Sequence, residues 1–182
     1  MLTCMLKTPP EGELLTFEDV VLHCRIDAGE TERPLVERMI AAARLQAEGY
    51  TQRTLRESVW LYSSDDPRDF APIRLVPCTG LVSASLDNEP LTEDQYVFSP
   101  SGTAPGENVF ATFTGPAGAL SLELTAGYAK DTCPEAIQQW MLAQIGAWYE
   151  QRESVGIGVS LGKAPRTFVD SLLDPYVIAW SC

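Results

Sequence analysis

The chain has 182 residues, of which 45% are hydrophobic and 21% charged, a balance typical of one globular domain or of one domain with a large insertion. Its formal net charge of −12 argues against a protein that grips nucleic acid over a broad basic surface. No apolar run approaches the roughly 20 residues of a membrane-spanning helix, and the first residues lack the pattern of an export signal. We therefore expect no membrane partner.

The cysteines and the single histidine give no sign of a metal centre. The five cysteines are far apart, and no two have the C-x-x-C spacing of a metal or redox motif. An odd number of isolated cysteines predicts reduced thiols in a cytoplasm. His23 and Cys24 are adjacent but lack further ligands at the spacing of a zinc site. We predict no metal and no cofactor.

The first third of the chain predicts an extended arm followed by two helices. Prolines and a glycine disfavour regular structure in residues 1–15. Thr16 begins a short helix that runs to residue 24, because Thr16 and Asp19 form an acidic variant of the capping box. Pro34 begins a second helix that runs to about residue 50. The apolar stripe of this second helix is Leu35, Val36, Met39, Ile40, Ala43 and Ala47.

From about residue 54 to residue 128 the hydrophobic pattern has a period close to two, which predicts an antiparallel β-region. The predicted strands are 55–62, 73–77, 81–86, 96–99, 109–113 and 120–128. Asp87 and Asn88 predict a hairpin turn, and the segments 63–72 and 100–108 have the composition of loops.

Residues 133–153 predict one long amphipathic helix with an aromatic face. Pro134 suits the first helical position, where its missing N–H costs nothing. Ile137, Trp140, Ile145 and Trp148 recur at helical spacing, and no catalytic group lies on their side of the helix. This absence favours assembly over chemistry.

The end of the chain is apolar. A glycine-rich stretch covers residues 154–165, and residues 168–182 contain a short helical turn that should stop at Asp174-Pro175. We expect an apolar chain end to be buried against the chain's own core or against another protein.

These patterns predict an α+β fold: a small helical bundle, formed by the N-terminal helices and the long aromatic helix, with a small antiparallel β-region inserted. The predicted segments are 1–54 (arm and helices), 55–130 (β-region) and 131–182 (long helix and C-terminal segment). The first and last segments should form one structural unit.

Three segments, in this order, resemble the head-to-tail connector (adaptor) proteins of long-tailed bacteriophages and gene transfer agents. Residues 15–27, LTFEDVVLHCRID, are similar to the family's opening LTLEEVKxHLRID, with Cys24 where leucine is more usual. Residues 134–153, from PEAI to WYEQRE, are similar to PEAIxxAIxxLxxxWYExRE. Residues 169–176, VDSLLDPY, are similar to a C-terminal xxxLLxPYR. The β-region carries little of the resemblance and corresponds to the insertion of longer members.

The resemblance implies a non-enzymatic structural protein of the virion neck that is assembled in the host cytoplasm. Such connectors form a ring, usually of twelve copies, beneath the portal protein. They extend the DNA channel, through which DNA passes without sequence-specific binding, and offer a platform to stopper, head-closure or tail proteins. The C-terminal segment of such proteins reaches toward the portal.

The resemblance and the helix end together give a set of candidate interface residues. The set is Tyr149, Arg152, Glu153, Phe168, Leu172, Leu173, Tyr176 and Trp180. We expect residues 154–182 to become ordered on contact with the portal, so that deletion of residues 168–182 would spare the fold of the monomer.

A ring needs two different patches on each subunit, because head-to-tail contacts join unlike surfaces. The alanine-rich helix 35–50 and the aromatic helix 134–153 are candidates, within or between subunits. Acidic side chains at the lumen would repel phosphate and keep DNA mobile. Candidates for this role are Asp65, Asp66, Asp69, Glu93, Asp94 and Glu107.

Two other classes of protein remain open from the sequence. A β-rich virion module that binds a receptor or carbohydrate would use Trp60, Tyr62 and Phe70. A hydrolase would use the carboxylates of the acidic loop 63–72 as metal ligands or as acid and base. An enclosed pocket with convergent polar groups would favour the enzyme, whereas two large complementary faces would favour a ring subunit.

Overall fold

The computed structural model describes residues 2–25, 29–103, 107, 109–150 and 169–178. The chain divides into two compact units. Met1–Gly12 and Arg53–Thr132 form what we call the sheet unit, and Glu13–Gln52 and Cys133–Cys182 form the helical unit. The fold is therefore mixed α+β, as the sequence predicts. The β part is larger than a small insertion, since it occupies about half of the chain and recruits the N-terminus.

The sheet unit is built on one five-stranded antiparallel sheet. Its strands are β1 (Thr3–Thr8), β2 (Ser58–Ser64), β3 (Cys78–Leu86), β4 (Glu89–Pro90) and β7 (Leu120–Ala126), in the order β1-β2-β7-β3-β4. Strands β5 (Val97–Ser99) and β6 (Thr112–Thr114) form a separate two-stranded sheet. The segment expected to be an extended arm is thus the edge strand β1, which pairs with β2.

The core of the sheet unit lies on one face of β7. Burial alternates along this strand, so Leu120, Leu122, Leu124 and Ala126 point inward. The ring of Phe70 packs edge-to-face against two further buried rings, Tyr62 at 6.1 Å and Phe113 at 6.2 Å between centroids. This cluster fixes the register of the central strands, because a slip by one residue would expose the whole face.

Most predicted strands are confirmed, with shifted ends. The hairpin at Asp87-Asn88 is confirmed too: both residues have positive φ, 53° and 71°, and they join β3 to β4. The predicted strand 73–77 is wrong, because only an isolated bridge joins Ile73 to Ala111. Pro72, just before this segment, and Pro77, at its end, lack the backbone donor that a regular ladder needs.

The helical unit contains α1 (Phe17–Cys24), α2 (Arg33–Thr51) and α3 (Glu135–Glu150), which pack on one another. The predicted ranges of the three helices are confirmed over the residues described here. Each helix buries one stripe. The buried positions are Phe17 and Val20 in α1, Val36, Ile40, Ala43, Ala47 and Thr51 in α2, and Ile137, Trp140, Met141 and Ile145 in α3. In the described part of the chain, no helix is both long and apolar enough to cross a membrane.

Helix α1 begins with the predicted capping box. The Thr16 hydroxyl accepts a hydrogen bond from the Asp19 amide at 3.1 Å, and the Thr16 amide donates to the Asp19 carboxylate at 2.8 Å. These bonds satisfy amide groups that have no partner within the helix. The local sequence thus sets the point at which α1 starts.

We expect Thr16→Ala to lower the free energy of unfolding of the helical unit by about 1 kcal/mol, because one cap acceptor is lost. Urea denaturation followed by far-ultraviolet circular dichroism measures the change. Thr16→Ser keeps the acceptor oxygen and should stay close to wild type. An equal loss of stability in both variants would show that the hydrogen bond to the Thr16 hydroxyl does not stabilise the helix.

Candidate functional site

The C-terminal end of α3 is held against the start of α2. The Tyr149 hydroxyl donates a hydrogen bond to the Glu32 carboxylate at 2.6 Å, and Tyr149 is half-buried. Tyr149 therefore links α3 to the residue that precedes α2 and is only partly accessible to a partner. Arg152 and Glu153, predicted beside it, lie outside the described residues.

The C-terminal segment 169–178 packs on the helical unit by side-chain and backbone contacts. Leu173 is buried at 1% exposure, and the Ile178 amide donates to the Thr51 carbonyl at 3.1 Å. The Tyr50 hydroxyl donates to the Asp174 carboxylate at 3.1 Å. Residues 169–178 therefore have packing contacts within the subunit, and the ordering of residues 154–182 on contact with the portal stays a prediction.

The predicted interface residues of this segment differ in their access to a partner. Leu172 and Tyr176 are half-buried, whereas Leu173 belongs to the core of the helical unit. Phe168 and Trp180 lie outside the described residues. Among the predicted C-terminal interface residues, Leu172 and Tyr176 can therefore contact a partner without unfolding of the segment.

Arg33 links α1 to the loop before α2. Its guanidinium bonds to Glu30 at 2.8 Å and to Glu18 at 2.9 Å, and it lies 4.2 Å above the centre of the Phe17 ring. The hydrogen bonds from Arg33 lower the pKa of both carboxyl groups. Arg33 is thus the electrostatic centre of the α1–α2 junction.

We expect the contribution of Arg33 to stability to depend on pH. The pKa values of Glu18 and Glu30 are lower in the folded protein, so their stabilising effect is complete above the ordinary value of 4.5. The effect is lost as the pH falls through the folded-state values. The difference in free energy of unfolding between wild type and Arg33→Gln should therefore be largest near pH 7 and shrink below about pH 4.5.

Arg38→Gln is the matched control for this measurement. Arg38 is exposed on the same helix, and no ion pair of Arg38 occurs among the described residues. Its effect on stability should be small at every pH. A flat profile for Arg33→Gln would contradict the assignment.

A groove lies between α1 and α3. Its lining residues are His23, Cys24, Leu142, Ala143, Gly146, Ala147 and Glu150, and its volume is about 370 Å³. The two helices approach closely at Gly146, where an added Cβ would lie 3.3 Å from the Cys24 sulfur, a tight contact. Burial, and then the nearby Glu150 carboxylate, raises the pKa of the Cys24 thiol. The thiol therefore stays protonated and contributes an apolar wall rather than a nucleophile.

The acidic loop does not gather its carboxylates around a common point. Asp66 accepts from the Arg68 amide at 3.0 Å and pairs with the Arg68 guanidinium at 2.8 Å. Asp69 accepts from the Ser64 hydroxyl at 2.6 Å. Both carboxylates thus stabilise a turn. Over the described ranges, no group of three or more His, Cys, Asp and Glu side chains could hold a metal ion.

The sheet aromatics form core rather than a binding platform. Tyr62 and Phe70 are buried at 3% and 0% exposure, and Trp60 is half-buried with its indole N–H bonded to the Ser58 hydroxyl at 2.9 Å. A carbohydrate platform needs exposed aromatic faces, and these three positions do not offer one.

Sequence reasoning missed two surfaces of the helical unit: the groove between α1 and α3, and an exposed leucine on α2. Leu45 is 60% exposed although it lies in the middle of a long helix. One signal was available, because Leu45 falls outside the apolar stripe of its helix.

Comparison with protein-family models and with curated proteins finds no match for this sequence. Solved structures do share the fold. A chain of the structure described as "Neck of empty GTA particle computed with C6 symmetry" superposes with a TM-score of 0.75 at 17% identity, over 100% of this chain and 97% of that chain. A chain of "Virion of native gene transfer agent (GTA) particle" gives 0.71 at 16% identity, with the same coverage.

A third structure, "Neck of native GTA particle computed with C12 symmetry", contains a chain that superposes with a TM-score of 0.64 at 14% identity, over 97% of this chain and 98% of that chain. At these identities the similarity shows that the fold is shared along the whole length. The chains that share it are components of virion and neck structures.

Proposed function

We propose that this chain is a head-to-tail connector, or adaptor, of a virion neck. It forms a ring beneath the portal, extends the DNA channel and offers a docking platform to stopper or tail proteins. One observation carries the proposal: the fold similarity to a chain of a GTA particle neck spans 100% of this chain and 97% of that chain.

The proposed ring has twelve copies, in keeping with the C12 symmetry of one of the similar necks. The formal charge of −12 on each copy suits a channel protein. Basic side chains in a lumen would hold phosphate groups through many ion contacts and slow the passage of DNA, whereas acidic ones keep it mobile. Asp65, Glu93 and Asp94 are exposed and remain candidates for the lumen.

The proposed portal contact uses the C-terminal segment and the neighbouring end of α3. Tyr176 is the described residue best suited to it, because it is half-buried in a segment anchored by Leu173 and Ile178. The other proposed contact residues are Tyr149, Leu172 and, beyond the described part, Arg152, Glu153, Phe168 and Trp180. The role is structural, so we expect no catalytic activity.

Analytical ultracentrifugation of the full chain, alone and mixed with the portal protein of the same particle, tests the proposal. We expect about one copy bound per portal subunit. A protein that stays monomeric and indifferent to the portal would overturn it.

A pair of variants separates portal binding from folding. Tyr176→Arg should weaken binding to the portal and leave the unfolding midpoint nearly unchanged. Val97→Arg alters an exposed residue of the sheet unit, at 67% exposure, and should bind the portal like wild type. If both variants bind the portal equally well, the C-terminal segment is not part of the portal contact.

A further inference from the structure

Helix α2 presents an outward stripe that no described element covers. Arg38, Ala42, Leu45 and Gly49 follow one another at spacings of four, three and four residues, which places them on one face of the helix. This face is turned away from the buried stripe of α2. Leu45 at its centre is 60% exposed, and all four residues are exposed. The outward stripe is therefore small and apolar, with one positive charge at its N-terminal end.

The groove between α1 and α3 has the complementary form. Its lining includes the small residues Ala143, Gly146 and Ala147 and the apolar side chains of Cys24 and Leu142. The volume of about 370 Å³ is ample for a leucine side chain. Glu150 stands at the C-terminal end of the groove, exposed and with no ion pair among the described residues.

The spacing and charge of the two surfaces match when the helices run antiparallel. Arg38 and Leu45 are seven residues apart, as are Ala143 and Glu150, and seven residues of helix span about 10.5 Å. With Arg38 opposite Glu150, Leu45 comes to lie at Ala143, beside Cys24. Ala42 then faces the small residues at 146 and 147, which permits close approach.

We propose that the outward stripe of α2 in one copy docks into the α1–α3 groove of the next copy, with Leu45 in the groove and Arg38 paired with Glu150. This proposal rests on the proposed function, because it names the contact that joins neighbouring subunits of the ring. The two surfaces are different and belong to one subunit, so the contact is heterologous and propagates from copy to copy. The docked pair of helices would bury an exposed leucine and neutralise two exposed charges.

Cysteine cross-linking of the full chain tests the position of Leu45. In a Cys4→Ser/Cys182→Ser background, Leu45→Cys brings a thiol beside Cys24 of the neighbouring copy. Mild oxidation with diamide at alkaline pH, at which enough of the Cys24 thiol is deprotonated to react, should then give a ladder of cross-linked oligomers in the presence of the portal. Gln46→Cys, exposed on the same helix about 100° round from Leu45, should give a much weaker ladder. A ladder that is absent, or equal for both variants, overturns the proposal.

Charge exchange tests the pairing independently. Arg38→Glu and Glu150→Arg should each weaken subunit association by at least about tenfold, since each places like charges together. The double variant should recover most of the loss. A double variant no better than the two single variants combined would overturn the pairing.

The two proposals fail in different ways. If wild type forms rings on the portal and the charge variants form them equally well, the connector role stands and this contact is wrong. If wild type forms no ring with the portal, both proposals are wrong.

Discussion

Replacing Gly127 with alanine is expected to lower the free energy of unfolding of the sheet unit by about 3 kcal/mol or more, or to prevent its folding. Gly127 follows β7 with a φ of +101°, a conformation that side chains rarely adopt. An added Cβ would lie 2.1 Å from the Arg56 carbonyl oxygen and 2.8 Å from the Glu57 nitrogen. Both are backbone atoms, so no side-chain rotation relieves the clash.

The clash would disturb more than one contact. The Gly127 amide donates to the Pro77 carbonyl at 2.9 Å, and the next residue, Tyr128, accepts from the Glu57 amide at 3.0 Å. Residues 127 and 128 thus join the end of β7 to the start of β2 and to the segment before β3. Separating these backbones would open the sheet at its centre.

Urea unfolding of Gly127→Ala and Gly12→Ala separates clash from backbone strain. Gly12 also has a positive φ, +72°, but nothing lies within 4 Å of its added Cβ. Gly12→Ala should therefore cost only about 1 kcal/mol. Similar losses in the two variants would contradict the steric explanation.

The helices could be predicted from the sequence because their signals are local. The capping residues Thr16 and Asp19 fix the start of α1, and Pro34 and the apolar stripe fix α2. The hairpin at Asp87-Asn88 was predictable for the same reason, since its turn chemistry lies in two adjacent residues.

The order of the strands could not be predicted, because it depends on contacts between distant residues. β1 pairs with β2 more than fifty residues later, and nothing within residues 1–15 specifies that partner. The interaction surfaces could not be predicted from the sequence for a related reason. The exposure of Leu45 and the groove beside Cys24 arise only when the helices pack, and periodicity alone does not show which faces stay uncovered.

Leu173→Ala is expected to destabilise the helical unit by about 3 kcal/mol and to release the C-terminal segment. Leu173 is 1% exposed, and it lies between two short 3₁₀ turns, Asp170–Leu172 and Asp174–Tyr176. Its removal leaves a cavity where the segment meets the helices. Hydrogen exchange should show the release directly, because the Ile178 amide is protected by its bond to the Thr51 carbonyl.

Val177→Ala is the matched control, since Val177 is 40% exposed in the same segment and should change stability by less than about 0.5 kcal/mol. The pair also decides how the segment meets the portal. If the segment binds the portal while it is packed on the helical unit, Leu173→Ala should weaken portal binding by the factor by which the packed fraction falls, because only that fraction binds. If the segment must instead detach from the helical unit before it binds, the Leu173→Ala variant should bind the portal more tightly than wild type. Unchanged hydrogen exchange at Ile178 would show that Leu173 does not hold the segment in place.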